Sequence, residues 1–256
     1  MKTKFSWIFY CLVSLLLSQS LSAAERFVTN ESNGFVWIQQ GKAYPILVDS
    51  REDKGVVRAV ANLQTDAGKV TGSTPEIIHS VAGNRMLIIG SIENSSWIKQ
   101  LLKAGKINAA DLQGKREKYI LQMVKQPMEG VDEAVVIAGS DKRGTIYGIY
   151  ELSQQMGVSP WYFWADVPVE KHDIISIKEG IYTDGEPAVK YRGIFLNDEW
   201  PCLGNWAGDT FGGFNSKFYE TVFELVLRLK GNFMWPAMWN SAFYDDDPMN
   251  GPLADE

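Results

Sequence analysis

Cysteine and histidine are nearly absent from this chain, with two of each among 256 residues. Cys11 lies inside an apolar N-terminal run, so Cys202 is the only thiol once that run is set aside. A single thiol forms no internal disulfide. No ligand cluster surrounds it, which argues against a structural metal site. Such a cysteine is expected as a small buried hydrophobe rather than a nucleophile. His79 and His172 stand in strand-like or turn contexts without a partner pattern and are assigned no role. Basic excess is missing as well: the net charge is −6, which leaves no electrostatic footprint for nucleic acid. The N-terminal apolar run, Trp7–Leu17, is too short at roughly eleven residues for a comfortable membrane span. Internal repeats and low-complexity tracts are missing too.

What is present begins with an export signal. Lys2 and Lys4 precede the apolar run, and Ser22-Ala23-Ala24 offers small residues for cleavage. Residues 1–24 are therefore expected to be a signal peptide, removed from a secreted or periplasmic product; an uncleaved anchor is the alternative. The rest, with hydrophobic residues at 45% of the whole chain, can form a substantial core in one large domain or two modest ones. Nine tryptophans suit sugar stacking, although large cores and interfaces also use them.

Strand and helix patterns then alternate. Phe35–Ile38 and Pro45–Val48 read as strands around a Gly41-Lys42 turn, and Val56–Gly68 as a helix. Arg85–Gly90 is a buried strand, Ser96–Lys103 a helix, and Tyr119–Val124 and Ala134–Ala138 adjacent strands. Ser140 or Asp141 caps a helix that stops at Gly157, and Asp173–Ile177 alternates as a strand. The expected fold class is α/β: an N-terminal α/β domain with a mixed sheet over residues 25–187, bounded by the turn Asp184–Pro187.

Residues 188–256 open a second system. Lys190–Leu196 is a strand and Asn215–Lys230 an amphipathic helix with Phe218, Val222, Leu225 and Leu229 on one face. Gly231 ends the helix, Phe233–Trp235 is a second strand, and the chain from Pro236 onward reads as loop. A strand–helix–strand unit makes its strands parallel, with both C-terminal ends on one side, the side that carries chemistry in β/α barrels. The segment is about a quarter of the roughly 250 residues that a closed barrel needs. It is expected to be the first two β/α units of a truncated (β/α)8 barrel, in a chain cut after the second strand.

Asn197, Asp198 and Glu199 follow the first strand. Glycoside cleavage needs a proton donor and a second carboxylate, and Asp or Glu fills either role once its surroundings set its pKa. Asp198 is the catalytic candidate, and Asn197 and Glu199 are substrate-binding candidates. Trp239 and Asn240, beyond the second strand, are a natural indole-and-amide pair for a pyranose. Trp206 lies in a glycine-rich first loop that permits close approach of a ligand. Glu151 is either on the polar face of its helix or reaching across a domain interface to substrate. Arg143 and Arg192 are candidates for binding an acidic sugar, with buttressing of the barrel base as the alternative for Arg192. Asp245–Asp247 read as a loop or Asx turn, and Trp235 as core.

The run YRGIFLNDEWP, followed by FGGFNSKFYETVFELVLRLKGNFMWPAMWNSAFYDDDP and LADE, closely resembles glycoside hydrolase family 115. The upstream GSDKRGTIYGIYELSQQMGVSPWYFWADVPV resembles that family's N-terminal domain. These enzymes are xylan α-1,2-glucuronidases that remove glucuronic acid or its 4-O-methyl ether. The resemblance implies an α/β domain packed on a barrel with further domains beyond, net inversion at the anomeric carbon, and no cofactor. It implies that Asn197 and Asp198 face the sugar pocket, with the remaining acid and base on later strands. Xylan or glucuronoxylan oligosaccharides are the expected partners, with no nucleic acid, no stable membrane insertion after signal cleavage, and a homodimeric parent. The alternatives are another two-domain exo-glycosidase, of family 67 or hexosaminidase type, and a non-catalytic carbohydrate-binding protein.

Overall fold

The computed structural model describes residues 26–197 and 200–256. The expected signal peptide and the candidates Asp198 and Glu199 lie outside the described residues. The first unit is built on a six-stranded mixed sheet. Its parallel part runs through β4 (Ile46–Val48), β5 (Ile77–Ile78), β6 (Arg85–Ser91) and β8 (Glu133–Gly139). β7 (Tyr119–Lys125) pairs antiparallel with β8, and β10 (Ile181–Tyr182) with β7. A smaller antiparallel sheet joins β1 (Val28–Thr29), β2 (Phe35–Gln39), β3 (Lys42–Ala43) and β9 (Ile174–Ile177). The strands expected from sequence are present, and β7 and β8 are neighbours, but Gly41 turns β2 into the short β3 while β4 joins the other sheet.

Side chains alternate across a pleated strand, so a strand buried on both faces feeds two cores. Leu87, Ile89, Val135 and Ile137 point to one core, shared with α1 (Lys54–Thr71), α3 (Lys142–Gln155) and the smaller sheet. Met86, Ile88, Ala134 and Val136 point to the other, under α2 (Ser96–Lys103). All eight are fully buried, and complete burial of an aliphatic side chain contributes roughly 1.5–3 kcal/mol. The helix starts follow sequence chemistry: Ser95 Oγ accepts the Ile98 N–H at 3.2 Å, and Asp141 Oδ1 accepts the Gly144 N–H at 2.8 Å.

The second unit contains β11 (Gly193–Phe195) and β12 (Phe233–Trp235), paired in parallel with Phe195 opposite Trp235. Between them lie α4 (Cys202–Phe211) and α5 (Ser216–Arg228). Ile194 and Met234 pack under α5 against Phe218, Val222 and Val226. The described residues form this pair of strands and no closed barrel.

Several expectations change here. The supposed first loop carries the helix α4, because Ala207 and the partly buried Leu203 and Phe211 give it one apolar face despite its glycines. Cys202 is exposed, since it sits at the solvent side of that helix's first turn. The stretch after Pro236 is not all loop: it forms α6 (Phe243–Asp246) and α7 (Asn250–Asp255). Leu229 is 42% exposed, and its neighbour Arg228 is buried in its place. Trp235 is 51% exposed rather than core, because the strand period turns it, with Phe195, away from α5.

Buried polar groups join the two units. Glu117, buried in the first, accepts from Arg143 Nε at 2.6 Å, Arg192 Nη2 at 2.8 Å and Asn232 Nδ2 at 2.7 Å. Arg192 also donates to the carbonyls of Lys230 at 3.0 Å and Val189 at 2.8 Å. Arg228 Nη2 donates to Asp66 at 2.8 Å and its Nε to Glu224 at 2.7 Å. Lys230 pairs with Glu151 and Asp184. Burial pushes Glu117 up, but the amide and the two guanidinium groups outweigh it and hold the carboxyl below its ordinary value.

Candidate functional site

The parallel register brings the ends of β11 and β12 to one edge, and the Leu196 N–H continues the ladder to the Trp235 carbonyl at 2.9 Å. Leu196 is buried and Asn197, the next residue, is exposed at that edge. From β12 the chain leaves by the same edge through Pro236 and buried Ala237 to Trp239, 63% exposed, and Asn240. Asn240 has a φ of 56°, a left-handed turn that asparagine tolerates better than most residues. Trp206 stands on α4, partly exposed, its ring 5.4 Å from Trp164 and 5.5 Å from Phe211.

Trp200, which sequence reasoning passed over, is also exposed on the segment following this edge. Its indole covers Gly204, where an added Cβ would fall 2.6 Å from the ring and force it to shift. The only sequence signal for this pair was a tryptophan four residues before a glycine. Asn197, Trp239 and Asn240 thus emerge from one edge, and Trp206 sits on the helix that follows it.

Other nominated residues have structural partners. Glu151 is buried, pairs with Lys230 and accepts from Gln155 Nε2 at 2.8 Å. It does reach across the junction, and what it meets there is a lysine. Burial pulls the Lys230 ammonium down, and Glu151 and Asp184 more than reverse this, leaving it above its ordinary value. Arg143 and Arg192 both serve Glu117, the buttressing arrangement for Arg192. Asp247 closes an Asx turn to the Met249 N–H at 2.9 Å and accepts the Ser216 N–H at 2.8 Å, capping α5. These backbone donors hold its carboxyl below the ordinary value. His79 Nδ1 lies 3.0 Å from the Val48 carbonyl. Among the described residues no group of three or more His, Cys, Asp or Glu side chains is arranged to hold a metal.

A cavity of about 560 Å³ lies at the junction between α1, α3, α5, the start of β12 and α7. Arg58, Lys142, Glu220 and Glu224 give its wall both charges, and Tyr150 and Phe223 its aromatic surface. Of the described candidates only Arg143 lines it; Asn197, Trp206, Trp239, Asn240, Glu151 and Arg192 do not. The α7 end closes one side, with Lys142 Nζ on the Asp255 carbonyl at 2.6 Å and Arg58 Nε on Glu256 Oε1 at 2.6 Å. Asn197, Trp239 and Asn240 therefore lie at the strand edge, apart from this cavity.

Residues 184–256 match the model of glycosyl hydrolase family 115, and residues 38–152 match that of the glycosyl hydrolase family 67 N-terminus. Both matches place the chain in the class of glycoside hydrolases. Its fold superposes on a family 115 4-O-methyl-α-glucuronidase with specificity for decorated arabinogalactans, at a TM-score of 0.73 and 33% identity. The chain belongs to glycoside hydrolase family 115. That superposition covers 86% of this chain and 28% of the glucuronidase, so the chain spans less than a third of its length. A Streptomyces plicatus β-hexosaminidase in complex with its product is similar at a TM-score of 0.45 and 15% identity, over 79% of this chain and 31% of that one. A Streptomyces coelicolor family 20 β-N-acetylhexosaminidase gives 0.44 and 14%, over the same shares. No curated protein matches the chain.

Proposed function

We propose that this chain supplies the N-terminal α/β domain, residues 25–187, and the first two strands of a (β/α)8 barrel in a glycosidase that removes α-1,2-linked glucuronic acid, or its 4-O-methyl ether, from xylan. The observation that carries the proposal is the shared edge: Asn197 and the Trp239–Asn240 pair leave neighbouring parallel strands on one side, in a chain 33% identical to a 4-O-methyl-α-glucuronidase. The reaction is inverting. One carboxylic acid protonates the leaving oxygen while a carboxylate roughly 6.5–9.5 Å away activates water on the opposite face of the sugar. Asp198 is one carboxyl of the site, and Asn197 and Glu199 hold sugar hydroxyls beside it. The Trp239 indole covers an apolar sugar face and Asn240 binds its edge. The second carboxylate belongs to a later strand.

A second substrate is favoured by the relative's own specificity for decorated arabinogalactans. Release of 4-O-methylglucuronate from glucuronoxylan and from arabinogalactan by the full-length protein discriminates the two. Release from neither overturns the reaction. The product is exported, with residues 1–24 removed; a mature soluble protein that still begins at Met1 contradicts this. Among the described residues no helix is long and apolar enough to cross a membrane. The full-length protein is a homodimer in this proposal, which light scattering tests.

A further inference from the structure

The aromatic segment Pro160–Trp164 has two sides. Tyr162 and Trp164 face α5: the Tyr162 hydroxyl donates to Glu224 Oε1 at 3.0 Å, and the Trp164 indole N–H donates to the Thr221 carbonyl at 3.2 Å. Lys69 Nζ sits 4.2 Å from the centre of the Tyr162 ring. The intervening rings, Trp161 and Phe163, are 44% and 40% exposed. The backbone beneath them is a hydrogen-bonded turn, with the Tyr162 N–H on the Ser159 carbonyl at 3.0 Å and the Ala165 N–H on the Trp161 carbonyl at 2.9 Å. Two large rings thus stand on a hydrogen-bonded turn with their faces partly in water, and a notch of about 40 Å³ lies between Phe163 and α5.

The position of this turn is informative. Trp164 packs edge-on against Phe218 at 6.1 Å and against Trp206 at 5.4 Å. Phe218 lies in the first turn of α5, which the chain enters after leaving β11 by its C-terminal edge. The segment belongs to the first unit in sequence, yet it continues an aromatic band from Trp206 of the second unit through Trp164 to Phe163, whose ring lies 5.5 Å from that of Trp164.

We propose that Trp161 and Phe163 form a stacking platform, contributed by the N-terminal domain, for main-chain sugars of the polysaccharide that flank the glucuronic acid side chain. This rests on the family 115 reading above. A pyranose offers an apolar face of C–H bonds and a polar rim of hydroxyls. An exposed aromatic face covers the first, and Ser159 and the exposed Asp166 flank the rings on the same turn as partners for the second. Continuity of the rings with Trp206, itself a sugar-binding candidate, favours a glycan as occupant.

The test uses the full-length protein in affinity electrophoresis through gels containing glucuronoxylan or decorated arabinogalactan. Wild type is retarded by the glycan whose main chain fits, and the double variant Trp161→Ala, Phe163→Ala binds it at least fivefold more weakly. Trp161→Tyr with Phe163 intact keeps most of the retardation. In kinetics, the ratio of kcat/KM on polymer to kcat/KM on a short aldouronic oligosaccharide falls about tenfold in the double variant. Retardation equal in wild type and double variant, or no retardation of wild type by either glycan, overturns the platform. Retardation lost in the variant while wild type releases no glucuronate from either glycan leaves the platform standing and sinks the reaction instead.

Discussion

The two sheets that matter most differ in how they are covered. In the first unit, neighbouring residues on β6 and β8 enter separate cores and are buried on both faces. In the second, Ile194 and Met234 pack under α5, while Phe195 is 55% exposed and Phe233 45% exposed on the opposite face. A sheet covered on both sides gains its stability within its own unit. The chain spans less than a third of its relative, and within that span the second sheet is covered by α5 alone and joined to the first unit by ion pairs and by Trp164 and Leu227. The contrast is one of position: the first unit buries its central strands on both faces, and the second places Asn197, Trp239 and Asn240 beyond a strand edge.

The largest expected effect is on the chemistry assigned to that edge. Asp198→Ala in the full-length protein should lower turnover by orders of magnitude with the fold intact by circular dichroism, since losing an acid, base or transition-state contact costs roughly 3–6 kcal/mol. Retention of more than about a third of wild-type turnover means a loss below about 1 kcal/mol, and removes Asp198 from the active site. Asn197→Ala and Trp239→Ala should act more mildly, partly through KM.

Next comes the joint. Arg228→Ala leaves Asp66, only 1% exposed, with the partly exposed Lys69 at 3.9 Å as its remaining cation, and stability to urea should fall by roughly 3 kcal/mol. A change within about 0.5 kcal/mol, the usual range for surface substitutions, would mean that the units hold together without this pair. The sheets themselves give a matched comparison. Ile137→Ala, fully buried, should cost roughly 2–5 kcal/mol, whereas Phe195→Ser, 55% exposed, should cost less than about 1 kcal/mol and reduce aggregation of the 256-residue chain expressed alone. Equal costs would erase the distinction between the sheets.

The smallest effect is in acid. Glu117 has a folded-state pKa below its ordinary value of 4.5. Its contribution is therefore complete above that value and is lost as pH falls through the lower folded pKa. Glu117→Gln should flatten the stability profile below about pH 4.5, measured by urea midpoints across pH. An unchanged acid limb would assign that dependence to other carboxylates, such as Asp49, which Arg51 holds below its ordinary value.

Sequence patterning was most legible where burial is simplest. Arg85–Gly90 and Ala134–Ala138 are apolar on every face after their first residue or throughout, and both are central strands. Ser96–Lys103 was found at its true ends because Ser95 caps it and its apolar spacing is regular. The parallel pair followed from strand–helix–strand order. The choice between Leu229 and Arg228 was not legible, because burying Arg228 depends on Asp66, a partner 162 residues away. α4 was hidden by Gly204 and Gly208, which read as loop; Gly204 lies under the Trp200 ring, and the apolar face of Leu203, Ala207 and Phe211 holds the helix. At the candidate edge, the departure of Asn197 and Trp239 from one side followed from periodicity and order. The partners of Glu151, Arg143 and Arg192 did not, since each is a long-range ion pair with no local signature.

Arg192 has a temporal consequence. Its partners Glu117 and the Tyr147 hydroxyl lie 75 and 45 residues nearer the N-terminus. During synthesis the first unit is therefore complete while β11 is still being made, and domains generally fold as units in that order. The strand then meets a buried carboxylate already paired with Arg143, and its own guanidinium joins that carboxylate and also fastens the Lys230 and Val189 carbonyls. A single arginine thus sets the phase of everything that follows it in the chain.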